Sequence, residues 1–333
     1  MINKYWITAI VLLGLFFTPF FADAHVKWFT NEEPVKESIE NIITPFFMFM
    51  TIFTAFVLAI LPQIVPKMMK WDIVQKIDNK MDDYRKYNMS ILRYGTAIVL
   101  IIQVLSGSLF APELHQQPNW FPVLAWIAII LLFVPNFLAT KTAAVILLGM
   151  FSIVVYDFGI FHMLDYAFYL PIFIIFLIAG TNYEKWSFPF LYLATGLSLC
   201  WVAVEKLVYP SMTIDIIVNH NVPTFGFPPE IFIVMAAFIE FIVGYLLVVG
   251  ILNRLLAIVL TGIFMSTTML FGALELVGHA MIHIILVLFI IEGTSFYRPP
   301  VKIHKTVIEQ MIFVFLNFIF VLATILLIYY RFA

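Results

Sequence analysis

The sequence predicts an all-α, polytopic membrane protein with about ten transmembrane helices, and three observations support this fold class. Hydrophobic residues make up 63% of the 333-residue chain and charged residues only 11%, against roughly a quarter charged in soluble domains. Several apolar runs reach the ~20 residues that a helix needs to cross a bilayer. Lysine and arginine are concentrated in alternate loops, as the positive-inside rule requires.

The first 24 residues have the features of a secretory signal peptide. Lys4 provides the positive start, "WITAIVLLGLFF" the apolar region and "ADA" at residues 22–24 a small-x-small cleavage site. Cleavage after Ala24 makes His25 the first mature residue, and an uncleaved anchor is the alternative. Residues 25–41 then form a periplasmic N-terminal segment.

Ten apolar runs follow, and each predicts a transmembrane helix. They cover residues 42–64, 91–111, 120–138, 142–158, 166–181, 187–208, 230–250, 255–274, 277–292 and 307–330. With the mature N-terminus outside, the cytoplasmic segments are 65–90, 139–141, 182–186, 251–254 and 293–306, and all of them contain lysine or arginine. The outside loops at 112–119, 159–165, 209–229 and 275–276 contain neither. This bias predicts a multi-pass protein of the bacterial inner membrane with a periplasmic mature N-terminus.

Residues 65–90 connect the first transmembrane helix to the rest of the chain. Within them, "KMMKWDIVQKIDNKMDDYRKYNMS" predicts an amphipathic helix on the cytoplasmic surface, with its basic face toward anionic lipid. A plain solvated connector is the alternative.

An internal repeat divides the apolar runs. "ILRYGTAIVLIIQVLSGSLFAPEL" and "FLYLATGLSLCWVAVEKLVYPSM" each begin a span with aromatic and small residues and end near a proline. The pattern predicts two parallel four-helix units, residues 91–181 and 187–293. A cytoplasmic loop at 294–306 and a last transmembrane helix at 307–330 follow.

The second unit resembles a known family. "VEKLVYP" (204–210), "EFIVGYLLVVGILNRLLAIVL" (240–260) and "GHAMIHIILVLFIIEG" (278–293) are similar to the DoxX-like integral membrane family. The resemblance implies tandem four-helix membrane bundles. It also implies a link to redox chemistry, because some members are subunits of thiosulfate:quinone oxidoreductase and others accompany redox complexes. Related eukaryotic folds act as chaperones or cargo receptors.

Glu240, Glu205 and Lys206 are ionisable residues inside the predicted spans of this unit. Glu240 falls near the bilayer midplane, where a carboxylate costs at least ~2.5 kcal/mol. We therefore expect Glu240 to face the interior, paired or protonated, as a proton carrier. Glu205 and Lys206 lie near the outer end of the preceding span and are expected to complete the same site as catalytic and cofactor-binding residues. A simple pair between Glu205 and Lys206 is the alternative.

The stretch "ELVGHAMIH" places Glu275, His279 and His283 one helical turn apart on one face. Carboxylate oxygens and neutral imidazoles are the ligands of divalent metals such as copper, iron or zinc, and they also hydrogen-bond quinones. Helix-to-helix hydrogen bonds are the alternative. The two histidines project from one face, so they cannot be opposite axial ligands of one haem.

His25 gives a second possible metal site. A free N-terminal histidine offers an amine and an imidazole nitrogen, which chelate copper when another histidine, His115 or His220, joins them. An ordinary exposed terminus, with Trp28 and Phe29 at the membrane interface, is the alternative.

Two expectations concern the remaining polar residues. Asp157, His162 and Asp165 are expected to be solvated in an outer loop, so that the first unit lacks a polar interior. Cys200, the single cysteine, is expected to be a buried small hydrophobe.

These residues together indicate an inner-membrane protein with an outward-facing Glu/His site and metal- or quinone-linked redox chemistry. The expected partners are the lipid bilayer and a periplasmic or membrane redox protein. A transporter or proton-coupled permease is one alternative, and a scaffold or assembly factor is another. The net charge of −2 favours no nucleic-acid partner.

Overall fold

The computed structural model describes residues 26–30, 32–68, 70–114, 118–293 and 306–332. Within these ranges the chain is helical and contains no strand, which confirms the all-α fold class. The predicted signal peptide and most of the loop at 294–306 lie outside the described residues, so they stay predictions.

The described ranges contain fourteen α-helices. They are α1 (Ile39–Ile42), α2 (Pro45–Met68), α3 (Asp72–Asp82), α4 (Asn88–Leu105), α5 (Phe121–Phe133), α6 (Phe137–Phe158), α7 (Ile160–Met163), α8 (Tyr169–Ile178), α9 (Ser187–Val208), α10 (Pro210–Asn219), α11 (Pro229–Val249), α12 (Asn253–Phe271), α13 (Ala273–Glu292) and α14 (Val307–Phe332).

Every predicted apolar run is largely helical, but not every one is a straight membrane span. Eight helical segments are long and apolar enough to cross a bilayer in the described part of the chain, which confirms a polytopic membrane protein. A ninth arises if α8 and the short helical segment Ile160–Tyr166, which meet at 72°, form one broken span. The remaining run, 120–138, contains α5, whose 13 residues extend only ~20 Å of the ~30 Å hydrocarbon core.

The helices pack into two neighbouring groups. In the first, α5 packs between α4 and α6, and α8 packs on α6; in the second, α9 packs on α11, and α12 on α13. The groups meet along two seams, α4 against α13 and α8 against α9. Outside them, α14 packs mainly on α2 and touches α9. The duplication of one unit from the other stays a prediction.

Two glycines bring α9 and α11 close together. A Cβ on Gly196 would lie 2.5 Å from the carbonyl oxygen of Gly244, and a Cβ on Gly244 would lie 2.5 Å from that of Gly196. Small residues at a helix crossing let the backbones approach, which is how membrane helices gain packing energy. Further along, the Cys200 thiol donates to the carbonyl of Phe241, so the helices run antiparallel. This seam fixes the ionisable side chains of the candidate site.

The two ends of the bundle differ in charge. At one end, which we call the Arg254 end, Arg254 pairs with Asp78 of α3, and Arg85 donates to the last carbonyls of α13 at Glu292. At the other, the Lys27 end, residues 26–30 enter the bundle. The segments predicted to be cytoplasmic therefore supply the contacts of the Arg254 end.

Candidate functional site

Lys206 and Glu240 form a buried ion pair across the seam of α9 and α11. The ammonium nitrogen lies 2.7 Å from Oε2 of Glu240, and the two side chains are 1% and 8% exposed. Helical side chains lean toward the N-terminus of their own helix. In antiparallel helices, Lys206 and Glu240 therefore lean toward each other. The expectation that Glu240 faces the interior, paired, agrees with this geometry.

Glu205 does not pair with its neighbour Lys206. It instead shares Lys27 with Asp165: Nζ lies 2.6 Å from Asp165 Oδ2 and 2.8 Å from Glu205 Oε1. The simple pair between Glu205 and Lys206 was wrong because adjacent residues on a helix diverge by about 100°. Asp165 comes from the 3-10 turn Leu164–Tyr166 and Glu205 from α9, so the lysine bridges the two helix groups.

Asp165 was expected in solvent, and that expectation is wrong. It is fully buried, and the hydroxyl of Ser198 donates to its carbonyl oxygen, which fixes the turn against α9. The first group therefore does contribute a buried acid. The burial of Asp165 could have been predicted from its neighbours, because Asp165 interrupts an otherwise apolar stretch, "FHMLDYAFYL".

The charge of Lys27 is maintained by these acids. Burial alone would lower its pKa, but the carboxylates of Asp165 and Glu205 outweigh that effect and hold the pKa above the ordinary 10.5. Lys27 is therefore an ammonium ion at neutral pH.

Trp28 inserts into the bundle beside Lys27 and is buried. Its indole nitrogen donates to the hydroxyl of Tyr166 at 2.9 Å, and its ring centroid lies 4.9 Å from that of His279. A Cβ on Gly278 would lie 2.0 Å from the indole ring. A slot over Gly278 therefore buries the ring of Trp28, whereas the exposed terminus at His25 lies outside the described residues and stays a prediction.

A third group of polar residues was missed in the sequence. The hydroxyl of Tyr166 donates to Glu113 Oε1 at 2.5 Å, and Nε2 of His162 lies 3.1 Å from the same oxygen. His162 is partly exposed and Glu113 is mostly buried. Since these residues come from two separate loops, no local pattern joined them.

Glu275 and His279 contact each other, whereas His283 lies apart. Nδ1 of His279 is 3.0 Å from Oε1 of Glu275, and both side chains are buried. Glu275 lies in the first turn of α13, where the helix dipole favours a carboxylate. The ring of Phe264 stacks on His279 and meets His283 edge-on. The structure thus brings together two of the three residues predicted to bind a metal.

No group of three His, Cys, Asp or Glu side chains within the described ranges has the geometry to hold a metal ion. His25 and His115 lie outside those ranges, so the N-terminal copper site stays a prediction. His220 is described, and its ring packs edge-on against those of Phe29 and Phe271.

A small cavity joins the ion pairs. Its volume of about 20 Å³ has room for roughly one water molecule. Its polar lining comes from Asp165, Thr195, Ser198, Glu240 and His279. Asp165 Oδ1 and the hydroxyl of Thr195 are buried with no hydrogen-bond partner among the described residues, so the cavity is polar enough for a water.

Together, the helices and the buried charged residues define a multi-pass, all-helical integral membrane protein with an ionisable site inside the bundle. Residues 191–273 match the model of the DoxX family, so this segment of the chain is similar to DoxX proteins. The match includes Glu205, Lys206 and Glu240, whereas Glu275, His279 and His283 lie beyond it. No curated protein and no solved structure shows significant similarity to the chain.

Proposed function

We propose that the buried site carries protons for a membrane redox component. One observation carries this proposal: among the described residues, buried carboxyl groups outnumber the lysine ammonium groups paired with them at the Lys27 end. The carboxyl groups that are at most 8% exposed there are Asp165, Glu205, Glu240 and Glu275. The lysines paired with them are Lys27 and Lys206.

The surplus negative charge is concentrated at Lys27. Lys206 pairs with the carboxylate of Glu240, and His279 contacts Glu275. Lys27, by contrast, pairs with two carboxylates, those of Asp165 and Glu205. An uncompensated carboxylate in a low-dielectric interior costs several kcal/mol, on the order of the penalty for breaking a buried ion pair. One proton shared between Asp165 and Glu205 removes that cost, so we expect this pair to hold an exchangeable proton.

The cavity supplies a route for that proton. Asp165, Glu240 and His279 all line it, although they come from three different elements. A water molecule there would accept a proton from one of these groups and donate to another over hydrogen-bond distances. Glu240 then acts as proton carrier, as its depth in the membrane suggests.

The redox assignment rests on the DoxX likeness, and so does an electron partner in the membrane or periplasm. The described residues do not offer a three-ligand metal site, and a cavity of about 20 Å³ has no room for a quinone head group, so we derive no step through either. Copper, iron, zinc and quinone remain predictions, as do the inner-membrane location and the periplasmic mature N-terminus.

Infrared spectroscopy of the reconstituted protein tests proton storage. A protonated carboxyl group has a carbonyl stretching band that carboxylates lack, and that band shifts in deuterated water. We expect the band at neutral pH in the natural sequence and its loss or shift in Glu205→Gln. Glu230→Gln, at an exposed position in α11, is the matched control and should leave the band unchanged. Absence of the band from the natural sequence would refute proton storage.

A structural role for the site is the second candidate, because the observed pairs tie separate elements together. Lys27 joins the turn Leu164–Tyr166 to α9, and Lys206 joins α9 to α11. In that case each of the four acids would be either ionised or neutral at every pH tested. The carbonyl stretching band would then be absent, or its intensity would not change with pH.

A further inference from the structure

Residues 27–30, which we call the N-terminal plug, enter the Lys27 end of the bundle from outside its helices. In addition to the lysine and tryptophan contacts, the ring centroid of Phe29 lies 4.6 Å from that of Phe271. The hydroxyl of Thr30 donates to Asp215 Oδ2 at 2.9 Å. Four consecutive side chains therefore dock as a unit, each in its own place.

The first of these places is an ammonium subsite made by the bundle itself. Asp165 and Glu205 are 0% and 1% exposed, and they come from two elements that pack together without help from the plug. Even with Lys27 docked, Asp165 Oδ1 has no hydrogen-bond partner among the described residues. The subsite therefore has more acceptors than Lys27 uses.

The second place is a slot for a flat ring. Gly278 forms its floor, and any side chain there would collide with the indole of Trp28. His279 lies beside the ring, and the hydroxyl of Tyr166 accepts from the ring N–H. An aromatic ring with a polar N–H fits this slot, because the slot offers ring contacts and one acceptor.

The plug is joined to the bundle by a tether that allows it to leave. Residues 32–35 are exposed and irregular. The next anchors are the bond from the Lys36 ammonium to the carbonyl of Tyr330 and the bond from the Glu37 N–H to the carbonyl of Val208. Four extended residues span up to ~13–14 Å, so on its C-terminal side the plug can move out without unwinding a helix.

From these features we infer that the two subsites form a binding site for an organic ammonium ion that carries an aromatic ring, and that the plug is its replaceable occupant. When the plug leaves, Asp165 and Glu205 lose their counterion, and a buried carboxylate pair without a cation is costly. An arylalkyl amine restores the ion pair and fills the ring slot. Such a ligand would bind whether or not the site also carries protons.

A reversible lock on the plug tests this inference. Thr30→Cys with Asp215→Cys places two thiols at a side-chain contact, and oxidation then fixes the plug in place; Cys200 is buried and does not interfere. Tryptamine, an ammonium joined to an indole, is the probe, and titration calorimetry on the purified full chain measures its affinity. The single variant Thr30→Cys, oxidised in the same way, is the matched control.

We expect the reduced double variant to bind one tryptamine per chain and the oxidised form to bind at least ~10-fold more weakly, since a tethered plug competes at high effective concentration. 3-Methylindole, which lacks the ammonium, should bind no better to the reduced form than to the locked one. Lys27→Ala with Trp28→Ala, which vacates both subsites, should bind tryptamine more tightly than the natural sequence.

Three results would overturn the inference. One is equal tryptamine affinity in the oxidised and reduced double variant. Another is equal affinity for 3-methylindole and tryptamine, because the carboxylates would then play no part. The third is binding to the vacated variant but none to the unlocked full chain, which would make the plug a permanent part of the fold.

Discussion

Lys206 and Glu240 meet across the glycine seam of α9 and α11, with 2.7 Å between Nζ and Oε2 and at most 8% of either side chain exposed. Lys206 lies ten residues after Gly196 in α9, and Glu240 lies four residues before Gly244 in α11. Both lean into the contact because their helices are antiparallel. Replacing one member of such a buried pair lowers the free energy of unfolding strongly, whereas replacing both members with apolar residues changes it little.

Lys206→Met should therefore destabilise the protein by roughly 3–5 kcal/mol, because it leaves the Glu240 carboxylate buried without its ammonium partner. Lys206→Met combined with Glu240→Met should recover most of that loss. Unfolding in mixed detergent micelles measures both. Lys76→Met, at an exposed position in α3, is the control and should change stability by less than ~0.5 kcal/mol. A double variant as unstable as the single one would contradict the pairing.

The close approach of α9 and α11 at Gly196 and Gly244 leads to a second prediction. A methyl group at Gly196 or Gly244 would lie 2.5 Å from a carbonyl oxygen of the facing helix, so either Gly→Ala variant must push α9 and α11 apart. We expect a loss of about 1–3 kcal/mol. Gly262→Ala in α12 is the matched control, since nothing lies within 4 Å of its added methyl. Equal stability of Gly244→Ala and Gly262→Ala would show that the seam is not closely packed.

Gly278→Ala should expel Trp28 from its slot, because the new methyl would lie 2.0 Å from the indole. The effect should be non-additive: in a Trp28→Ala background, Gly278→Ala should cost little, since the ring that it displaces is already gone. Unfolding of the two single variants and the double variant gives the coupling energy. A coupling near zero would place the indole elsewhere.

The ion pairs of Lys27 predict a defined pH dependence. Its folded-state pKa lies above 10.5, so its contribution to stability is complete below pH 10.5 and is lost as the pH rises from there toward the folded-state pKa. The stability difference between the natural sequence and Lys27→Met should thus be constant from about pH 9 to about pH 10 and should shrink above pH 10.5. Unfolding at a series of alkaline pH values measures it. A difference that already shrinks between about pH 9 and pH 10 would show that Lys27 is not held as an ammonium.

Topology and processing can be tested on intact cells. Intact-mass measurement should find a mature chain that begins at His25, and retention of residues 1–24 would disprove cleavage. A cysteine in place of Asn221 should react with an impermeant thiol reagent from the periplasm, and one in place of Lys76 only after the cells are opened. The reverse pattern would invert the proposed orientation.

Much of the fold could be predicted because it depends on local properties. Hydropathy over about 20 residues identifies a membrane helix, so each predicted run coincides with a helix. The exceptions are informative. The run at 120–138 gives the short helix α5, because Asn136 caps the start of α6 and divides the apolar stretch. The run at 166–181 begins within a sharp bend.

The sequence alone also determined which ionisable residues interrupt the apolar helices, namely Glu205, Lys206, Glu240, Glu275, His279 and His283. Only the tertiary structure decided their partners. Adjacent residues on a helix point in different directions, so Glu205 and Lys206 contact different elements. Lys27 reaches Asp165 across 138 positions of chain, a separation at which hydropathy and spacing carry no information. The cost of burying charge makes pairing necessary, but the packing of the helices chooses the pairs.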